Sequence, residues 1–350
     1  MTTDETTRPA SGESLTTVLV ALIANGLIAI AKSIAAAITG SASMLAEAAH
    51  SWADTGNEVL LVIAERRSGR PADGRHPFGY GKDAYIWSMF AAFGLFTVGA
   101  VVSIQHGVQE LIDPDPAGDF VVAYVVLGLA FVLEGVSFVR ALRQARADAH
   151  RRHVQTLDHV LESSNPTLRA VFAEDAAALI GLVVAFGGVL LHQLLDSPVP
   201  DAIGSILVGV LLGVVAVVLI ARNRAFLLGE PVDDGVRAAA LRELLATPDI
   251  ERVTALHLEF IGPGRVLLIA AVDLAGDRPE AAVAETLRRL EEAIVRREHV
   301  GAAVLTLSAS DEASLPLDGS DGGWGPRPGG ADGPVGGRAA TDDGPDRLRA

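Results

Sequence analysis

The sequence predicts an α-helical polytopic membrane protein, with six transmembrane helices followed by a small cytoplasmic α+β domain. Three observations lead there. The chain of 350 residues is 50% hydrophobic and only 20% charged, and its mean hydropathy of +0.36 lies above the range of ordinary soluble domains. Its apolar residues are gathered into uncharged runs of about 20 or more, the length that crosses roughly 30 Å of hydrocarbon. The positive charges fall in alternate connections between those runs.

In chain order the runs cover residues 15–38, 45–64, 84–111, 120–139, 168–195 and 202–221. Turn-forming residues join them, as in Gly40-Ser41-Ala42-Ser43, Asp113-Pro114-Asp115-Pro116 and Asp196-Ser197-Pro198-Val199-Pro200. Arg66, Arg67, Arg70, Arg75 and Lys82 occupy the second connection. Arg140, Arg143, Arg146, Arg151, Arg152 and Arg169 lie in and around the fourth, and Arg222 and Arg224 follow the last run. Because Lys and Arg resist translocation, these segments are expected in the cytoplasm, with both termini on that side. An even number of spans requires the same.

After Arg224 the pattern becomes that of a soluble α/β domain. A helix is expected over 233–245, strands over 253–260 and 266–274 around Gly262-Pro263-Gly264, a second helix over 279–298, and a strand over 303–308. That αββαβ order suggests a ferredoxin-like, open-faced sandwich. The domains predicted are thus a cytoplasmic N-terminal segment (1–14), the six-helix transport domain (15–222), the α+β domain (223–310), and a disordered tail (311–350) too rich in Gly, Pro and acidic residues to bury a core.

Composition also excludes. With no Cys there are no disulfides, thiolate ligands or Cys nucleophiles. A net charge of −15 argues against nucleic-acid binding, which needs clustered Lys and Arg. The polar, acidic first 14 residues lack the basic start and cleavage site of a signal peptide, so none is expected.

The chemistry is sought among ionisable residues inside spans, which are expensive to bury in lipid unless they face a cavity or partner. Span two carries Glu47, His50, Asp54 and Glu58, and span five carries Glu174 and Asp175; Lys32 and Glu134 lie in spans one and four, with His106 and His192 near outer ends. His50, Asp54 and Glu58 are spaced by four, so they project from nearly one helical face at about 6 Å intervals. An imidazole and a carboxylate one turn apart can bind one divalent ion, with Asp175 of span five as complement; a proton site is the other reading. On a straight count Asp175 lies nearer the cytoplasmic side than His50. Glu47 and His50 also read as the Glu-x-x-His of a di-iron bundle, but no second copy lies in a span.

A family resemblance rests on specific words. The stretch Gly40-Ser41-Ala42-Ser43-Met44-Leu45-Ala46-Glu47-Ala48-Ala49-His50-Ser51-Trp52-Ala53-Asp54 resembles the signature of the cation diffusion facilitator family. His76-Pro77-Phe78-Gly79-Tyr80-Gly81-Lys82 is similar to the loop that opens its third span. Asn165-Pro166-Thr167 and Glu174-Asp175-Ala176-Ala177-Ala178 look most like its zinc transporter 9 type branch. The resemblance implies a homodimer in a lipid bilayer that exports a divalent cation, usually zinc, in exchange for protons by alternating access. It implies no cofactor beyond the transported ion. It also implies two ligands from span two, matching His50 and Asp54, and a His-x-x-x-Asp pair from span five. Asp175 matches the second of that pair, but the first falls on Val171. Glu174 or Glu58 is expected to complete the set. Carboxylate-richer sites suit harder ions, so manganese, iron(II) or cobalt is the alternative cargo.

Two accessory sites of the family look degraded here. In the second loop Asp73 and His76 match ligand positions, but Tyr80 replaces the next His, which leaves a basic loop capped by polar residues as the alternative. In the cytoplasmic domain the expected ligand positions fall on Thr254 and Ala270, and His257 with Glu259 reads as a polar strand face, so the domain is expected to serve dimer contact. His150, His153, Asp158 and His159 read as a solvated loop, with metal capture as the alternative. A metal-dependent membrane enzyme is the rival class, yet the chain has no His-Glu-x-x-His and no Gly-x-Ser-x-Gly. A composition rich in Ala and Gly, with Lys32 and Lys82 beside many Arg, suggests a bacterial cell membrane.

Overall fold

A computed structural model describes residues 11–114, 120–152, 155–309 and 311–316. Six long helical segments form one bundle: α1 (Ser11–Thr39), α2 (Ala42–Ser68), α3 with α4 (Asp83–Ala91 and Thr97–Ile112), α5 (Phe120–Arg152), α7 (Pro166–Leu195) and α8 (Val199–Leu228). A short α6 (Thr156–Glu162) precedes α7. By length and composition, four segments among the described residues can cross a membrane: Asp83–Ile112, Phe120–Ala147, Pro166–Leu195 and Val199–Leu228. The apolar described part of α1, Asn25–Thr39, is shorter, and α2 is interrupted by its own ionisable residues.

α2 lies at the centre, packed against α1, α3, α4, α7 and α8. Its start is fixed from two directions. The Ser41 hydroxyl accepts from the Met44 N–H at 3.2 Å. The buried Asp201 carboxylate, at the start of α8, accepts from the Ala42 and Ser43 N–H groups at 2.9 and 3.3 Å. A carboxylate suits this place because the first N–H groups of a helix have no partner within it and carry partial positive charge. α7 starts as its sequence dictates, with Asn165 accepting from the Thr167 and Leu168 N–H groups and Pro166 in the first turn. Two apolar clusters hold the bundle, one around Met44, Leu127 and Leu182, the other around Leu61, Phe96 and Leu212.

The third span is not one regular helix. Residues Ala92–Phe96 form a π-helical turn between α3 and α4, with Leu95 packed against Gly56 of α2. Helical periodicity over so short an insertion cannot reveal such a bulge.

The C-terminal part has the expected element order: α9 (Asp234–Leu245), β1 (Ile250–Gly262), β2 (Arg265–Leu274), α10 (Glu280–Val295) and β3 (Val300–Leu307). The three strands lie in order β1-β2-β3, with β1 antiparallel and β3 parallel to β2. Val253, Leu256, Leu258, Leu268, Leu290 and Ile294 supply its core. Gly264, at φ 65, makes the hairpin turn.

This domain docks on the helical bundle. Lys82 Nζ donates to Glu259 Oε1 at 3.1 Å, the Gly264 N–H donates to Ser164 Oγ at 3.0 Å, and the Phe226 and Phe260 rings lie 5.5 Å apart. Gly81 meets the β1–β2 turn so closely that a Cβ there would stand 2.5 Å from the Ile261 carbonyl oxygen. The tail is described only to 316; the remainder of that prediction, like residues 1–10 of the N-terminal segment, lies outside the described residues.

Candidate functional site

α2 carries His50, Asp54 and Glu58 along one face, as their spacing requires. His50 Nε2 lies 3.2 Å from Asp54 Oδ2. One turn further on, Glu58 Oε1 accepts from Asn25 Nδ2 of α1 at 2.6 Å. From α7, Glu174 accepts from Asn57 Nδ2, and Asp175 Oδ2 accepts from Ser137 Oγ of α5 at 3.0 Å. Glu58, Glu174 and Asp175 all lie within electrostatic reach of Asp54.

The hydrogen bonding around these groups is incomplete. His50 Nδ1, Asp54 Oδ1 and Glu58 Oε2 are buried without a hydrogen-bond partner. Buried polar atoms are nearly always satisfied in folded proteins, so a column of open ones on one helix face is a candidate binding place. Imidazole nitrogens with carboxylate oxygens form a donor set suited to a divalent ion such as zinc.

The helix register decides who meets whom. Asn57 pairs with Glu174, and a Cβ at Gly181 of α7 would lie 3.9 Å from His50 Nδ1. Gly181 is therefore the residue of α7 facing His50, while Asp175 lies roughly 9 Å along the helix, nearer the level of Glu58. Among the described residues no three His, Asp or Glu side chains converge tightly enough to hold a metal ion. The offset in depth visible in the sequence is thus present in the structure, and α2 must move against α7 for His50 and Asp175 to share an ion.

A second group of charges lies beside this column. Lys32 Nζ of α1 donates to Glu47 Oε2 of α2 at 3.0 Å and to Glu134 Oε1 of α5 at 2.9 Å. Each residue stands out in the sequence as an ionisable group within a span, but only the three-dimensional packing joins them. Glu47 is engaged here, so the Glu-x-x-His pairing with His50 does not make a di-iron half-site.

The second loop uses its carboxylate on itself. Asp73 Oδ1 accepts from the Arg75 and His76 N–H groups at 2.9 Å each, and Oδ2 accepts from the Tyr80 hydroxyl at 2.7 Å. The Tyr80 hydroxyl and these backbone donors hold the Asp73 carboxyl down at about 2. His76 Nδ1 remains 3.6 Å from Asp73 Oδ1, and its ring packs on Tyr80. The geometry here is that of a capped loop.

In the C-terminal domain Thr254 is bonded to Ser308 and Glu312, Ala270 is buried in the core, and Glu259 bridges His257 at 3.6 Å to Lys82. These positions are occupied by structure. Residues 225–310 expressed alone should therefore change their melting temperature by no more than about 2 °C on saturation with zinc, since only ligands that bind the native state raise it. A large zinc-induced rise in a thermal scan would place ligands in this domain. The expected solvated loop around His150 is corrected in part, because α5 continues helically to Arg152 with His150 exposed. A run of Arg with Ala between them propagates a helix beyond the bilayer readily. Of that group, His153 and the side chains of Asp158 and His159 lie outside the described residues.

Comparison with known proteins adds the following. A family profile for the cation efflux transmembrane domain matches residues 18–228. Metal tolerance protein C4 of Arabidopsis thaliana is 36% identical over 67% of this chain and 51% of its own length. The mitochondrial proton-coupled zinc antiporter of Homo sapiens is 35% identical over 74% of this chain and 46% of its own. A metal cation efflux system protein of Cupriavidus metallidurans is 25% identical over 77% of this chain and 80% of its own. The chain spans about half the length of the first two relatives. One of these relatives is mitochondrial, so the expected bacterial cell membrane gains no support from them.

Proposed function

Because the chain belongs to the cation efflux family, we propose that it exports a divalent cation, zinc before manganese, iron(II) or cobalt, in exchange for protons. It is a membrane transporter and not an enzyme. The proposed ligands are His50, Asp54 and Asp175, completed by Glu174 or Glu58. The observation that carries this reading is the column of open buried atoms on α2: His50 Nδ1, Asp54 Oδ1 and Glu58 Oε2. Zinc is favoured by the imidazole and by the likeness to the human zinc antiporter.

Exchange follows from the ligands' acid–base chemistry. His50 binds metal through a neutral ring, and carboxylates bind it when ionised, so cation and protons compete for the same atoms. Departure of the ion toward an acidic compartment leaves His50 and its carboxylates to take up protons. Return of the empty site to the cytosol releases them. Sliding of α2 against α7, needed in any case to bring Asp175 to His50, would supply the alternation.

We take the bundle as six spans with both termini on the Arg-rich cytoplasmic side, and the domains as 1–14, 15–222, 223–310 and 311–350. The third of these we take as a ferredoxin-like αββαβ unit that joins two copies in a homodimer. Support for the six spans comes from the six long segments of one bundle and from the alternation of Arg between connections.

The ligand set is tested by Glu58→Gln and Glu174→Gln made separately and assayed for flux in proteoliposomes. The variant that removes the fourth ligand should lose at least about tenfold in transport, and the other should stay within about twofold of wild type. Unimpaired transport in both variants would remove both carboxylates from the set.

A further inference from the structure

Lys32 is fully buried, and its Nζ lies 3.0 Å from Glu47 Oε2 and 2.9 Å from Glu134 Oε1, carboxylates delivered by two different helices. The second oxygen of each, Glu47 Oε1 and Glu134 Oε2, is buried without a hydrogen-bond partner. α7 closes the group on another side, where a Cβ at Gly181 would collide with Glu47 Oε1 and lie 3.9 Å from His50 Nδ1. Gly181 thus leaves both atoms facing the same space, and Glu47 precedes His50 by one helical turn.

Two buried carboxylates cannot both stay ionised without a cation between them. A Lys ammonium is a compact point charge, and at this place it stands where a bridging divalent ion would stand. Without Lys32 the same oxygens, one turn from His50, would offer a cation a second resting place and hold it off the path past Asp54. We propose that Lys32 is a specificity-determining residue: its ammonium fills a dicarboxylate niche of Glu47 and Glu134 that would otherwise take a divalent cation, and so confines the transported ion to the adjoining His50 and Asp54. The role assigned to confinement rests on the proposed transport site, whereas the niche rests on the Lys32, Glu47 and Glu134 geometry alone.

The test is metal binding to the full chain in lipid nanodiscs, measured by equilibrium dialysis with zinc and, separately, with manganese. Wild type and Lys32→Arg should bind one ion per chain and Lys32→Met two, and Lys32→Met with Glu134→Gln should return to one. Lys32→Met with Asp54→Ala should keep the niche ion alone. If Asp54→Ala by itself retains the single wild-type ion while Lys32→Met still binds one more, the transport-site assignment fails and the niche stands. Should Lys32→Met be unstable in metal-free buffer, zinc or manganese should raise its thermal midpoint, an effect absent once Glu134→Gln is added. A Lys32→Met protein that binds no additional ion, or that neither metal stabilises, overturns the proposal.

Discussion

Asp54→Ala should reduce proton-driven cation flux by roughly two orders of magnitude or more while leaving a folded protein. Asp54 lies 3.2 Å from His50 Nε2, and its other oxygen is buried and open. It also stands at the centre of the carboxylate field made by Glu58, Glu174 and Asp175. No neighbour can substitute for it, since the α7 residue facing His50 is Gly181. The side chain takes no described hydrogen bond that anchors the fold, so its loss should fall on transport and spare assembly. Flux in reconstituted vesicles, with the elution profile of the same preparation as the control for folding, checks this. Wild-type flux from a folded Asp54→Ala protein would remove the residue from the site.

The largest effect on stability is expected from Asp201→Ala. Its buried carboxylate takes the first two N–H groups of α2, and the variant leaves both without a partner. Loss of a helix cap together with unsatisfied buried donors should destabilise the bundle by about 2 to 4 kcal/mol. Asp201→Asn keeps one acceptor oxygen and should lose about half of that. Since α2 also carries His50 and Asp54, its fraying start should lower metal affinity in Asp201→Ala as well. Thermal unfolding of the three proteins in the same detergent measures the effect, and equal midpoints would show that Asp201 does not hold α2.

The sequence was legible wherever periodicity is long and chemistry is local. Six apolar runs, the turn residues Gly40 to Ser43 and the αββαβ order around Gly264 all have local causes and reappear as helices, a helix start and strands. Spacing by four likewise placed His50, Asp54 and Glu58 on one face. What escaped depends on packing between distant segments. The joining of Lys32, Glu47 and Glu134 depends on how α1, α2 and α5 lie together, and no local pattern encodes it. The same holds for the pairing of Asn57 with Glu174 that sets the register of α2 on α7, although the offset of Asp175 from His50 follows from a straight count along the chain. The π-helical turn at Ala92–Phe96 and the helical extension of α5 to Arg152 were hidden for another reason. The first shifts the period by a single residue, and the second is built of charged residues that read equally well as a solvated loop.

Exchange of a divalent cation for protons at the His50 and Asp54 site can be followed in proteoliposomes holding the full chain. Zinc flux is followed while a proton gradient is imposed in one direction and then reversed. Zinc should move opposite to the proton flow, changing direction with the gradient and alkalinising the side that it enters. Zinc flux of unchanged direction and rate under both gradients would contradict the exchange.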